Sequence, residues 1–228
     1  MPRIFARPIW LACILLIATF IPIVTAAIRV YEIPAGKLPD DAIKFAAVPV
    51  SLFVHALGGM LFGLLGPLQF AGVLKRRFGR LHRITGRIFV VCGLMLGLSS
   101  LRLLAEFPDG STWVLVSARL VAGLAMSGAL IWAIFAIWRD NVAQHRAWMI
   151  RAYAIGMGPA TISFIMLPIF LITGEAPKGY AADMLFVVSW GINIAIAEWA
   201  IRHGQIRPKP QRISAPPAPP PHQPSFPR

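Results

Sequence analysis

Six apolar stretches, separated by segments of alternating charge, constrain this chain more than any other feature. They run at about Pro8–Ile28, Ala46–Leu74, Ile84–Ala105, Trp113–Trp138, Trp148–Ile172 and Ala182–Ile201. Each is near or above the roughly 20 residues that a helix needs to cross the hydrocarbon core. Most of the 22 lysines and arginines fall in the N-terminus (Arg3, Arg7), the second loop (Lys75 to Arg87), the fourth loop (Arg139, Arg146, Arg151) and the tail after Arg202. The other three loops hold only Arg29, Lys37, Lys44 and Lys178, beside Glu32, Asp40, Asp41, Glu106, Asp109, Glu175 and Asp183. Basic residues accumulate on the cytoplasmic side of spanning helices. The pattern therefore predicts an all-α, six-helix transmembrane bundle with both termini in the cytoplasm.

Composition agrees with one membrane domain. At 57% hydrophobic the chain is too apolar for an ordinary soluble domain. Residues 1–7 read as a cytoplasmic N-terminus, 8–202 as the bundle, and 203–228 as a Pro-rich, disordered cytoplasmic tail. Arg3 and Arg7 before an apolar run, with Ala26-Ala27 after it, could suggest a cleaved signal. The run is longer than a signal core, and the charge alternation works best when it stays as the first helix. The net charge of +13 is divided among short loops on one side, so no nucleic acid is expected. The lipid bilayer and its anionic headgroups are the partners it implies. Cys13 and Cys92 lie in apolar runs without metal or disulfide spacing. Walker and dinucleotide fingerprints are absent from the sequence.

Ionisable residues inside a bilayer are costly and are functional candidates by position. Four qualify: His55, Arg102, Arg119 and Glu198. His55 and Arg119 would lie roughly 13 and 9 Å below the outer surface at about 1.5 Å per residue. On neighbouring helices they would share a polar pocket suited to an anion or a quinone oxygen. Glu106 lies one turn from Arg102, Arg202 one turn from Glu198, and Arg119 can reach towards Asp109, so local pairing competes.

Two inner-loop motifs match each other. Leu81-His82-Arg83-Ile84-Thr85-Gly86-Arg87 opens the third helix, and Gln144-His145-Arg146-Ala147-Trp148-Met149-Ile150-Arg151 opens the fifth. Helix N-termini carry unpaired N–H groups and positive partial charge, so both ends favour anions. Arg83, Arg87, Arg146 and Arg151, with Arg119, are the candidate anion-binding set. Arginine alone would suffice to grip lipid phosphate, so the repeated histidine asks for something more. A b-type haem in a helical bundle takes two imidazoles at similar depth on facing helices. His82 and His145 match in depth, whereas His55 has no histidine at its level. These three are the candidate cofactor-binding residues, and no metal other than haem is suggested.

The ordered set His55-x-x-Gly58, Leu65-Gly66-Pro67-Leu68-Gln69-Phe70, Arg80-Leu81-His82-Arg83 with Gly86-Arg87, and His145-Arg146-Ala147-Trp148-Met149-Ile150-Arg151-Ala152-Tyr153-Ala154 resembles a known family. It is the bacterial membrane-protein family catalogued as domain of unknown function 2306, and the likeness covers about residues 50–170. The resemblance implies a multi-pass protein of the bacterial cytoplasmic (inner) membrane without an established activity. In that family an arginine often follows the His-Arg-x-Trp-Met stretch on the fifth helix. Thr161-Ile162-Ser163-Phe164 stands there instead, so a shared site that used the arginine is altered in this chain.

Three readings follow. One is a redox-type bundle holding haem or quinone through its histidines. Another is a transporter of a small anionic or proton-coupled solute, for which Ser51, Ser99, Ser100, Ser117 and Ser127 offer polar lining. The third is a structural or assembly role. Lipid chemistry would need an acid–base pair or nucleophile, and only Glu198 and Asp140 are carboxylates away from the outer face.

Overall fold

A computed structural model of the chain describes residues 8–40, 42–71, 77–107 and 112–205. The expected N-terminal segment, Asp41, Lys75, Arg76, the Pro108-Asp109-Gly110 turn and the tail beyond residue 205 lie outside the described residues. The helices are α1 (Pro8–Glu32), α2 (Pro49–Phe70), α3 (Gly79–Glu106), α4 (Trp113–Trp138), α5 (Val142–Gly156), α6 (Gly158–Thr173) and α7 (Gly179–Gln205). Taking α5 and α6 together, six spans are long and apolar enough to cross a membrane, and no strand occurs among the described residues. The protein is a six-helix transmembrane bundle.

Several boundaries move for identifiable reasons. The expected second helix begins later, because Ile43–Ala47 forms a short 3-10 helix and Pro49 opens α2. Proline suits that position, where its missing N–H has no helical partner anyway. The third helix starts at Gly79 rather than Ile84, which puts Arg80, His82 and Arg83 in its first turns. Asn141 caps α5 by accepting from the Gln144 N–H at 3.0 Å, so His145 and Arg146 are also helical. Asp140, just before it, holds φ 54°, a left-handed conformation that aspartate tolerates.

The fifth span is interrupted at Met157, between α5 and α6. Pro159 has no N–H to give the Ile155 carbonyl four residues back. The Trp190 indole of α7 donates to that oxygen instead, at 3.0 Å. Gly158 leaves room for the indole, since a Cβ there would collide with it. Pro22, Pro67 and Pro168 lie inside continuous helices.

Consecutive helices pack as neighbours: α2 lies between α1 and α3, α4 between α3 and α5, and α7 against α4, α5 and α6. The glycines of α2 and α3 serve this packing within the chain. Gly63 faces Ile23 of α1, and Gly93 faces Phe62 and Leu130. A Cβ on Gly58 would come within 3.0 Å of the Cys92 carbonyl oxygen and 3.1 Å of the Leu96 nitrogen, so the two backbones nearly touch. The core is centred on Phe62, stacked on Phe89 at 4.3 Å, with Leu130, Ala133, Met149 and Tyr153 around them. One end of the bundle gathers Arg80, Arg83, Arg87, Arg139 and Arg146, and is called the basic end below. The opposite end carries Glu32, Glu106, Glu175 and Asp183.

Candidate functional site

Near the acidic end, the close approach at Gly58 sets His55 one turn away against α3. The His55 Nδ1 lies 3.2 Å from the Ser99 hydroxyl, and Ser99 is only 7% exposed. That hydroxyl also lies 3.2 Å from the Leu96 carbonyl, which can only accept. The Ser99 proton is available to either partner, so donor and acceptor in the His55 contact follow the tautomer of the ring. Arg119 does not join this pair, because α3 stands between α2 and α4. It lies over the Phe186 ring at 5.7 Å, within electrostatic reach of Asp183. Asp183 is itself buried and accepts the Thr112 N–H at 2.7 Å. Arg102 pairs with Glu106 at 2.6 Å, as its spacing suggests.

At the basic end the two histidine motifs open two helices, α3 and α5, that both pack on α4. Helices α3 and α5 both start there and run the same way, and Phe89 and Tyr153 meet across them at 6.2 Å. His82 is seven residues before Phe89 and His145 eight before Tyr153, or about 10.5 and 12 Å along the two axes. The histidines therefore share a level. At about 100° per residue, His82 lies on the same face of α3 as Phe89, whereas His145 is turned roughly 80° from Tyr153. His145 is aimed at α4, where its Nδ1 donates to the Ala133 carbonyl at 2.9 Å. Its Nε2 then carries the lone pair. Between these levels Gln69 of α2 donates to the Thr85 hydroxyl at 2.7 Å, tying the Leu65–Phe70 stretch to the first motif.

The candidate anion-binding arginines separate into two groups. Arg83, Arg87 and Arg146 are exposed at the basic end, where headgroup phosphate can reach them. Arg151 is committed elsewhere. Its guanidinium donates twice to Glu198 of α7, at 2.6 and 3.1 Å, and lies over Trp148 at 4.7 Å. Glu198 thus pairs across helices, and the Arg202 expected beside it contributes only through its nearby charge. A pair on two helices has no fixed sequence spacing, so the reading of Glu198 with Arg202 missed it.

Sequence reasoning also passed over Tyr153. It is 5% exposed, packs on Phe62, Phe70 and Phe89, and its hydroxyl has no hydrogen-bond partner among the described residues. The signal was present in Ala152-Tyr153-Ala154, a large polar-tipped ring between two small residues on a core-facing turn. Among the described residues no group of three or more His, Cys, Asp or Glu could hold a metal ion.

A family model described as "Predicted membrane protein (DUF2306)" matches residues 52–201. That interval contains His55, both histidine motifs, Tyr153 and Glu198. No curated protein and no solved structure matches the chain.

Proposed function

Because the chain belongs to the DUF2306 family of predicted membrane proteins, a family without an established activity, we propose a function from its own site: a redox-type bundle. In this reading His82 and His145 would hold one b-type haem near the basic end. The carrying observation is the bond from His145 Nδ1 to the Ala133 carbonyl. Ligating histidines usually donate one ring nitrogen to a fixed acceptor, which orients the ring and leaves the other nitrogen unprotonated for the metal. His145 meets that condition, and His82 stands at its level on a parallel helix. Arg83 and Arg146, next in sequence to the two histidines, would supply cations for the carboxylates of such a group. A haem held by two imidazoles supplies one-electron transfer.

An absorption spectrum of the purified full chain, oxidised and then reduced with dithionite, tests this. A Soret band with a reducible α band is expected, and His82→Leu or His145→Leu should each abolish the six-coordinate signature. A colourless protein from haem-replete cells overturns the reading. Transport of a small solute is the second reading. It draws on the mid-span break at Met157, beside which Thr161 donates to Asn193 at 2.8 Å, since discontinuous helices commonly line transport sites. The protein is assigned to the bacterial cytoplasmic membrane with its basic end inward, on charge asymmetry. A reporter enzyme that works only after export, fused after Arg212, should then be inactive; activity there reverses the orientation.

A further inference from the structure

We infer that Lys37 and the last turns of α1 form a binding site for an anionic phospholipid at the acidic end. The site uses no residue of the proposed haem pair and stands apart from that reading. Gly36, at φ 65°, turns the chain back just beyond α1, a conformation that glycine adopts freely. The Lys37 N–H then donates to the Glu32 carbonyl at 3.0 Å, which sets Lys37 beside the end of its own helix. With Val24, Ala27, Ile28, Tyr31 and Glu32 it lines an open groove of about 610 Å³. At about 100° per residue Val24, Ala27, Ile28 and Tyr31 fall on one face of α1. Phe20 and Ile17 continue that face towards mid-span, 64% and 68% exposed. The buried Ala12 and Thr19 lie more than about 100° round the helix, where α1 packs on the bundle, so the groove looks outward.

Charge selects the occupant. Among the described cations at this end, Arg29, Arg102 and Lys178 pair with Glu32, Glu106 and Glu175. Lys44 lies over Phe45 at 5.1 Å, and Arg119 lies over Phe186 within reach of Asp183. Lys37 is exposed and has neither a carboxylate nor a ring against it among the described residues. Because Arg29 neutralises Glu32, the mouth of the groove carries one net positive charge. Tyr31 lines the same mouth, an amphipathic ring suited to the headgroup layer. The groove is therefore cationic at the surface and apolar below it, which matches a lipid phosphate with an acyl chain running down α1 towards Ile17. Phosphatidylethanolamine would bring an ammonium close to Lys37, a like charge, whereas phosphatidylglycerol brings none. The site thus favours the anionic lipid over the zwitterionic one.

Photolabelling of the full chain in vesicles tests the inference at the site itself. The probes are phosphatidylglycerol and phosphatidylethanolamine carrying the same photoactivatable acyl chain, each added in trace to vesicles of one fixed composition. Peptide mapping then compares labelling of Val24–Tyr31 with labelling of Val188, Ile192 and Ile196, exposed apolar residues of α7 that serve as the reference. Relative to that reference, the phosphatidylglycerol probe should label α1 up to about fivefold more than the phosphatidylethanolamine probe, the effect of one exposed ion pair. Lys37→Gln should bring the two probes to parity. Lys37→Arg should keep the preference, because either cation pairs with phosphate. Equal labelling by the two probes, or a preference that survives Lys37→Gln, overturns the inference. Labelling of α1 far below the α7 reference with both probes also overturns it, since a second copy or another protein would then cover the groove.

Discussion

A Gly66→Val protein is expected to lose about 3 kcal/mol of stability, enough to lower its yield in the membrane several-fold. A Cβ at position 66 would overlap the Tyr153 ring, whose Cδ2 would be 2.8 Å and Cζ 2.9 Å away. The ring has nowhere to go. Phe70 is 5.0 Å from it and Phe62 5.7 Å, and Tyr153 is almost fully buried. Overpacking a filled core costs about 1–3 kcal/mol, and a branched side chain against an immobile ring belongs at the upper end. Denaturant unfolding in mixed micelles would measure it. Adding Tyr153→Ala should recover part of the loss by opening space, while Tyr153→Phe alone should cost nothing, since the hydroxyl has no partner among the described residues. A Gly66→Val protein as stable as the parent would refute this packing of α2 on α5.

Arg151→Leu comes second in size, at about 2 kcal/mol. It would strand the Glu198 carboxylate on a spanning helix after removing both of its hydrogen bonds. Breaking a fully buried pair costs about 3–5 kcal/mol. Each side chain here is 31% exposed, and Arg202 lies close enough to offset some of the lost charge, so the lower figure applies. Glu198→Leu should cost a similar amount, and the double variant less than the sum of the two. Strict additivity in that cycle would show that the pair carries no coupling. Arg151→Lys should recover only part of the stability, because lysine supplies neither the two-pronged geometry nor the same stacking on Trp148.

Spans and helical class were legible because both rest on runs of single residues: a stretch such as Trp113–Trp138 declares itself by length and hydropathy alone. Arg102 with Glu106 was legible for a related reason, since helical spacing specifies it. Contacts between helices were not. The expected meeting of His55 with Arg119 required α2 beside α4, and nothing in either stretch shows that α3 intervenes. Ser99 entered only as polar lining, because one serine in an apolar run carries no sign of the histidine 44 positions earlier. Pro159 stands beside a break, whereas Pro22 and Pro168 remain within continuous helices. Beside Pro159 the Trp190 indole donates to the carbonyl left without its helical donor, and a proline does not announce what will face it.

The interruption at Met157 also bears on the order in which the chain can be completed. Trp190, which donates to the Ile155 carbonyl, lies 35 residues further along. A ribosome therefore finishes both halves of the fifth span well before it makes the indole that they need. Hydrocarbon offers that oxygen no substitute donor, and an unsatisfied backbone group there costs several kcal/mol. During biogenesis the fifth span thus depends on a helix not yet synthesised, and it stays incompletely settled beside the insertion machinery until α7 arrives. The last helix is in this sense the latch of the assembly, so truncation just before Gly179 harms an earlier span as well as removing a later one.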